Sequence, residues 1–414
     1  MPDVVLVAGR DPRSERDGGH SAYVRAHARA AVAAGFTPHL VCVGPSAGFA
    51  ETPYGVVRRA ASPARPFRQL MIPGHAFPLR RAVEAAVAET GARVVHGFGV
   101  WSWAAAAARD RLAERGLPLR VLASAYTTLA DETLSKIEGA SPADGARKAA
   151  FLLEHAAALA TSAYERRGYR DADLVLVNYE SVRRLLEARH GQGLRIRRVP
   201  YASESAFEPP RPETGGLPDA LRPLEGADGP LIVTVSRHDP RKGGDVLLEA
   251  LALLAARGVP FRACLVGAGP LLEDHRARAR RLSLGGRVSL PGYIEDALDV
   301  LTRADVFVLP SKSEQSGSLA LLEALQAGRA CIASACDGIP EDVTDGRDAL
   351  LVPPGDVRAL ADALGRLLCD ADLRARLGRA ARATFEDRFS AKALADALGA
   401  LYKEKGPDFA GPIS

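Results

Sequence analysis

Leu231-Ile232-Val233-Thr234-Val235-Ser236-Arg237-His238-Asp239-Pro240-Arg241-Lys242-Gly243 opens the stretch on which the fold turns. Five apolar or β-branched residues read as a buried strand, a polar turn follows, and a helical pattern starts at about Gly244. The succession then returns. Ala263-Cys264-Leu265-Val266 runs into Gly267-Ala268-Gly269-Pro270, and Val306 to Leu309 leads into Pro310 to Glu323. Short apolar runs alternating with longer Ala, Leu and Arg segments of helical period are the pattern of a parallel sheet with crossover helices.

Working outward, two such series emerge. Strands are expected near Val4-Val7, His39-Val43, Val94-His96, Leu119-Ser124, Leu174-Asn178 and Arg195-Val199, and again near Leu231-Val235, Arg262-Val266, Arg287-Leu290, Val306-Leu309, Ala330-Ala333 and Ala349-Val352. Between the series lies a stretch rich in Pro and Gly, Glu208 to Gly216 and Gly226 to Pro230, which interrupts helix and strand alike. The fold class is therefore α/β, with two doubly wound Rossmann-like domains. Their expected limits are 1–207 and 230–389, with a linker at 208–229. Such domains would meet at the carboxyl ends of their strands, with the ligand crevice between them.

Composition closes off other classes. A chain of 414 residues exceeds one ordinary core. Lys and Arg number 54 against 50 Asp and Glu, so the net charge of +4 carries no polyanion signal, and nucleic acid is not an expected partner. No long run of apolar residues free of charge or Pro suggests a membrane span. Met1-Pro2-Asp3-Val4-Val5-Leu6-Val7-Ala8 lacks a basic leader and reads as a first strand, so a soluble, cytoplasmic protein is expected. Cys42, Cys264, Cys331, Cys336 and Cys369 are scattered without CxxC spacing and are read as small core residues. The excess of Ala, Arg, Leu and Gly suits a GC-rich genome and is compatible with antibiotic or other specialised-metabolite biosynthesis.

Arg237 and Lys242 are two cations at a strand end beside a helix start, which is a natural diphosphate clamp. Phosphate oxygens there take both charge and backbone N–H donors. Gly267 and Gly269 remove side chains at another strand end, letting a ligand approach the backbone. Gly317, Ser318 and Leu319 open a helix whose first N–H groups would face the phosphates. In this order the pieces resemble the large retaining glycosyltransferase family 4, whose members have the GT-B architecture of two domains facing a central cleft. The resemblance implies an enzyme, with Arg237 and Lys242 steadying a departing nucleoside diphosphate without metal or other cofactor. It also implies that the backbone around Ile294 reads the nucleobase, and that Glu323 binds the ribose hydroxyls. The family's first glutamate, seven residues earlier than the second, meets the donor sugar. Here Glu314 and Glu323 have eight residues between them, and strict spacing falls on Gln315. Glu314 is preferred, since a loop absorbs one extra residue readily.

For the first domain the resemblance implies acceptor binding. Gly18-Gly19-His20-Ser21 precedes the helical segment Tyr23 to Ala34 and is similar to the family's glycine pair, which places Gly19 by the donor phosphate and His20 toward the acceptor. His96-Gly97-Phe98 stands where the family often has H-x-H, and Tyr126 where it usually offers a histidine. His96, Phe98 and Tyr126 are the acceptor-side candidates, and the two lost histidines point to an unusual acceptor. In GT-B enzymes the final helix returns to the first domain. A break near Phe389 would let the segment 390–414 complete it.

The function expected is a retaining transfer of a hexose-type sugar from a nucleoside diphosphate sugar, UDP-sugar foremost, to a hydroxyl of a small polar acceptor. A sugar-nucleotide 2-epimerase and a sugar-nucleotide-binding pseudoenzyme are the alternatives. Asp171-Ala172-Asp173 is formally D-x-D but leads straight into Leu174-Val175-Leu176-Val177 and reads as a strand-initiating turn, not a metal site. No P-loop is present. Arg58, Arg59, Arg65, Arg68, Arg80 and Arg81 read as a solvated loop, so peripheral membrane contact is not expected.

Overall fold

The computed structural model describes residues 1–13, 19–62, 72–139, 145–208, 216–295 and 297–404. They divide into two compact units. Unit 1 comprises 1–137, 144–207 and 390–414; unit 2 comprises 208–389 with the short stretch 138–143.

Unit 1 is built on β1 (Asp3–Val7), β2 (Thr37–Gly44), β3 (Gly48–Thr52), β4 (Gly55–Ala61), β5 (Val94–Phe98), β6 (Arg120–Ala125), β7 (Leu174–Val177) and β8 (Ile196–Arg198). Among the described residues they form one sheet in the order β3-β4-β2-β1-β5-β6-β7-β8, parallel except where β3 pairs antiparallel with β4. Its helices are α1 (Gly19–Ala33), α2 (Ile72–Thr90), α3 (Ser102–Ala113), α4 (Leu129–Gly139), α5 (Gly145–Arg170) and α6 (Glu180–His190). Val4 to Val7 have no exposed surface, as an inner parallel strand covered on both faces requires.

The hairpin of β3 and β4 is not expected from sequence, and it corrects the reading of Arg58 and Arg59 as loop residues. Both lie on β4, where Arg58 pairs with Glu89. Arg80 is buried on α2 and pairs with Glu84. Arg65 and Arg68 lie outside the described residues. Asp173 accepts the Val121 N–H at 2.7 Å, tying the approach to β7 to β6.

Unit 2 holds β9 (Leu231–Val235), β10 (Arg262–Val266), β11 (Val288–Gly292), β12 (Val306–Leu309), β13 (Ala330–Ser334) and β14 (Leu350–Val352), all parallel, in the order β11-β10-β9-β12-β13-β14. This is the doubly wound order in which the chain reverses direction between its first and fourth strands, β9 and β12. The intervening helices are α7 (Gly244–Ala256), α8 (Leu272–Arg281), α9 (Ala297–Thr302), α10 (Leu319–Gln326), α11 (Ile339–Asp342), α12 (Val357–Cys369) and α13 (Ala371–Arg388). The expected linker is corrected here. Residues 216–229 belong to unit 2, because Ala220, Leu221 and Leu224 pack into the core with Val233 and Cys264, and the Ala220 carbonyl accepts from Ser289 Oγ at 2.8 Å.

After Phe389 the chain starts α14 (Ala391–Lys403), whose first turn is capped by Ser390. Leu394, Ala395, Leu398, Leu401 and Tyr402 are buried in the core cluster that holds Val4, Leu6 and Leu40, so α14 is part of unit 1. Polar contacts fasten its end. Arg120 donates to the Leu401 carbonyl and to Glu404, and Arg197 reaches Glu404 at 2.7 Å. Residues 405–414 lie outside the described residues.

His96 explains part of that fastening. Its Nδ1 meets the Tyr402 hydroxyl at 2.8 Å and its Nε2 meets Ser124 Oγ at 2.7 Å, and it has no exposed surface. Phe98 is equally buried and stacks on His96, 4.7 Å between ring centroids. Both are withdrawn from the acceptor-side set, since neither side chain reaches the surface.

Burial holds His96 well below the usual histidine range, and His27 beside it is pushed down to about 4, again by burial first. Below about pH 6.5 the unfolded chain takes up protons that these imidazoles refuse, so stability falls as pH drops from there toward about 4. Each unit of depression is worth on the order of 1.4 kcal/mol per histidine. Thermal melts at about pH 7 and about pH 5 should differ by several degrees, and His27→Gln should narrow the difference while His96 keeps the rest; a midpoint indifferent to pH in the wild type would contradict this.

Of the cysteines, Cys42, Cys264 and Cys331 are buried, Cys336 is half-buried, and Cys369 is exposed at the end of α12, contrary to the expected core position.

Candidate functional site

The carboxyl ends of β9 and β12 carry two loops that lock together. The first, Ser236 to Gly243, leaves β9. Asp239 caps a single tight turn by accepting the Arg241 N–H at 3.0 Å, and the turn delivers Lys242 to Gly243. Gly243 takes a φ of 64°, and a Cβ there would overlap the Pro310 carbonyl, so only glycine lets the first loop lie on the second. The Arg241 carbonyl in turn accepts the Lys312 N–H at 2.6 Å.

Against the other side of the first loop lies the glycine turn after β10. His238 N–H donates to the Ala268 carbonyl at 3.0 Å and Leu271 N–H to the His238 carbonyl at 2.9 Å. A Cβ on Gly267 would overlap the Ser236 carbonyl. These glycines therefore bring two backbones together, a packing role beside the approach of a ligand expected from sequence.

Lys242 and Glu314 meet although 72 positions separate them. Lys242 Nζ donates to Glu314 Oε2 at 2.5 Å, and Ser311 Oγ donates to the other carboxylate oxygen. The Glu314 side chain is 3% exposed and that of Lys242 18%, so the pair is largely dry while the ammonium keeps an open side. Ammonium carries three donors, and one is taken by Glu314. Arg237, at the end of β9, is exposed, and its guanidinium makes no hydrogen bond or ion pair among the described residues. One cation is thus held rigidly and the other stands open to solvent.

Gln315 adopts a φ of 69°, a left-handed turn that lets Glu314 point back to Lys242 before Gly317 and Ser318 start α10 at Leu319. Ser318 gives no side-chain cap to that helix, so the Ser318 hydroxyl does not take the place of an anion at its first turn. Glu323 is half-buried on α10. Ile294 is half-buried beyond β11 and, with Pro218, Tyr293, Asp299 and Val300, lines a cleft of about 390 Å³. All of these belong to unit 2.

Two features here were not expected from sequence. His238 and His275 are buried, with Nδ1 atoms 2.7 Å apart, pinning the first loop to α8. Burial first, then the neighbouring imidazole, pushes His238 down to about 4, and burial also lowers His275. The other is Asp337, whose carboxylate gathers the backbone of the second loop. A histidine inside the R-x4-K segment was a visible signal; nothing local marks Asp337.

In unit 1, His20 and Tyr126 come together. His20 stands in the first turn of α1 and Tyr126 follows β6, with the Tyr126 hydroxyl 2.8 Å from His20 Nδ1. Both are half-buried at the carboxyl ends of the strands. Gly19 begins α1 and is exposed; Gly18 lies outside the described residues. Burial raises the Tyr126 hydroxyl well above the usual tyrosine range, so it stays a neutral donor or acceptor.

Comparison with known proteins agrees with this arrangement. The family model "Glycosyltransferase Family 4" matches residues 17–202 and the model "Glycosyl transferases group 1" matches 229–370, between them most of the chain. The chain is 29% identical over 215 residues to alpha-D-kanosaminyltransferase of Streptomyces kanamyceticus, covering 51% of this chain and 55% of that protein. It is 30% identical over 226 residues to a GDP-mannose-dependent alpha-(1-6)-phosphatidylinositol monomannoside mannosyltransferase of Mycolicibacterium smegmatis, covering 52% and 58%. The matches thus span about half the length of these curated relatives. Sucrose-phosphate synthase from Thermosynechococcus elongatus superposes with a TM-score of 0.74 at 25% identity, over 97% of this chain and 98% of that one. With two doubly wound units of the GT-B type and a family match in each, the chain is a member of glycosyltransferase family 4.

Proposed function

We propose that this chain is a metal-independent, retaining glycosyltransferase that moves a hexose from a nucleoside diphosphate to a hydroxyl of a small polar acceptor. The observation that carries the reading is the pairing at the β9 and β12 ends: Arg237 open to solvent, and Lys242 fixed beside Glu314.

As the bond from the sugar C1 to the β-phosphate oxygen breaks, its electron pair stays on the diphosphate. Arg237 and Lys242 supply positive charge where that negative charge develops, the role a metal ion fills elsewhere. The first-turn N–H groups of α10, from Leu319, add donors. Glu323 accepts from the ribose hydroxyls, the cleft beside Ile294 takes the base, and Glu314 meets the donor sugar. The acceptor oxygen bonds to C1 on the face the diphosphate leaves, and its proton passes to the diphosphate. His20 and Tyr126 serve the acceptor side.

UDP-hexose is the donor in this reading, and the GDP-mannose dependence of one relative makes GDP-sugars the competing donors. An acceptor of the antibiotic-biosynthesis kind, which the composition suggests, is part of the same reading. Among the described residues no helix is long and apolar enough to cross a membrane, in keeping with a cytoplasmic enzyme.

Incubation with UDP- and GDP-hexoses, followed by nucleotide release and NMR of the product's anomeric carbon, tests the reading. Release with retained configuration supports it; binding without transfer, or epimerised sugar, overturns it. Chelator should leave turnover within about twofold, because fixed cations replace the ion. Loss restored by manganese or magnesium would refute metal independence.

A further inference from the structure

Asp337 follows β13 and is exposed, and its backbone φ is 49°. One of its carboxylate oxygens, Oδ2, accepts three donors from the loop that carries Glu314: the Glu314 N–H at 2.6 Å, the Gln315 N–H at 2.6 Å and Ser313 Oγ at 2.9 Å. The contacts continue on either side. Gly338 N–H donates to the Ser316 carbonyl at 2.8 Å, and Cys336 Sγ reaches the Ser311 carbonyl at 3.7 Å. Facing turns at Gln315 and Asp337 are both left-handed and neither residue is glycine, a conformation that persists only where neighbours over-determine it.

We propose that Asp337 is a positioning residue: it holds the 313–316 loop in the one turn that sets the Glu314 carboxylate on Lys242. The inference rests on the reading of Glu314 as the donor-sugar contact. Asp337 does not itself bond Arg237, Lys242 or Glu323, so the diphosphate and ribose contacts stand without it.

The consequence is a split between nucleotide binding and turnover. In Asp337→Ala the loop relaxes and Glu314 leaves Lys242. Release of nucleotide from UDP-glucose or GDP-mannose, whichever the wild type turns over, should fall about tenfold to a hundredfold in kcat. The Kd of UDP or GDP, measured by calorimetry, should stay within about twofold. Asp337→Asn, which keeps one acceptor oxygen, should retain most of the rate and guards against a misfolded alanine variant. A crystal structure of Asp337→Ala with Glu314 still on Lys242 overturns the proposal, as does a normal kcat. Parallel losses in kcat and nucleotide affinity in both variants would mark Asp337 as merely structural, and also overturn it. Wild-type protein that binds neither nucleotide sinks the functional reading, and this inference with it.

Discussion

Lys242→Ala is expected to lower turnover about tenfold to a thousandfold, the range seen when one donor to developing charge is removed. Arg237→Ala should do the same, yet the two variants differ in stability. Lys242 is the cation on a carboxylate whose side chain is 3% exposed, so its loss leaves Glu314, among the described residues, with the Ser311 hydroxyl alone and lowers the melting temperature. Arg237 is exposed and makes no side-chain bond among the described residues, so its removal should leave the melt unchanged. Steady-state kinetics and thermal melts on both proteins check this. Near-normal turnover in both would remove the clamp from the mechanism.

The second large effect concerns α14. A chain ended at Ser390 loses the buried Leu394, Leu398, Leu401 and Tyr402. At about 1.5 to 3 kcal/mol for each buried large side chain, the loss is on the order of 6 to 12 kcal/mol, comparable with the whole stability of an ordinary domain. Unit 1 should then lack a cooperative melt and bind a hydrophobic dye. Unit 2 contributes every donor contact assigned above except that of Gly19, and nucleotide affinity should persist. Full thermal stability and full turnover in the shortened protein would show that the helix contributes nothing.

Inner strands were legible because a parallel strand covered on both faces must be apolar throughout, as Val4-Val5-Leu6-Val7 and Val306-Phe307-Val308-Leu309 are. The hairpin of β3 and β4 was not. Its outer strand is half-exposed, and Arg58 and Arg59 on β4 break any apolar run. At the site, the order of strand-end motifs was visible because glycines and cations are local signals. The pairing of Lys242 with Glu314, of His238 with His275, and of Asp337 with the Glu314 loop is made through space by loops far apart in sequence. His96 was misplaced for a related reason. A histidine near a strand's carboxyl end points to solvent or to core according to what covers it, and here Tyr402, more than 300 positions later, covers it.

Placing α14 in unit 1 also sets an order of events during synthesis. Unit 1 begins with β1 but lacks its covering helix until all of 208–389 has left the ribosome. Through that interval Leu6, Leu40 and their neighbours have an unfilled seam, while unit 2, nearly continuous in sequence, can close as soon as it emerges. The later half of the protein is therefore the first to mature. A chain released after Ser390 would carry a complete second unit and a first unit still without α14.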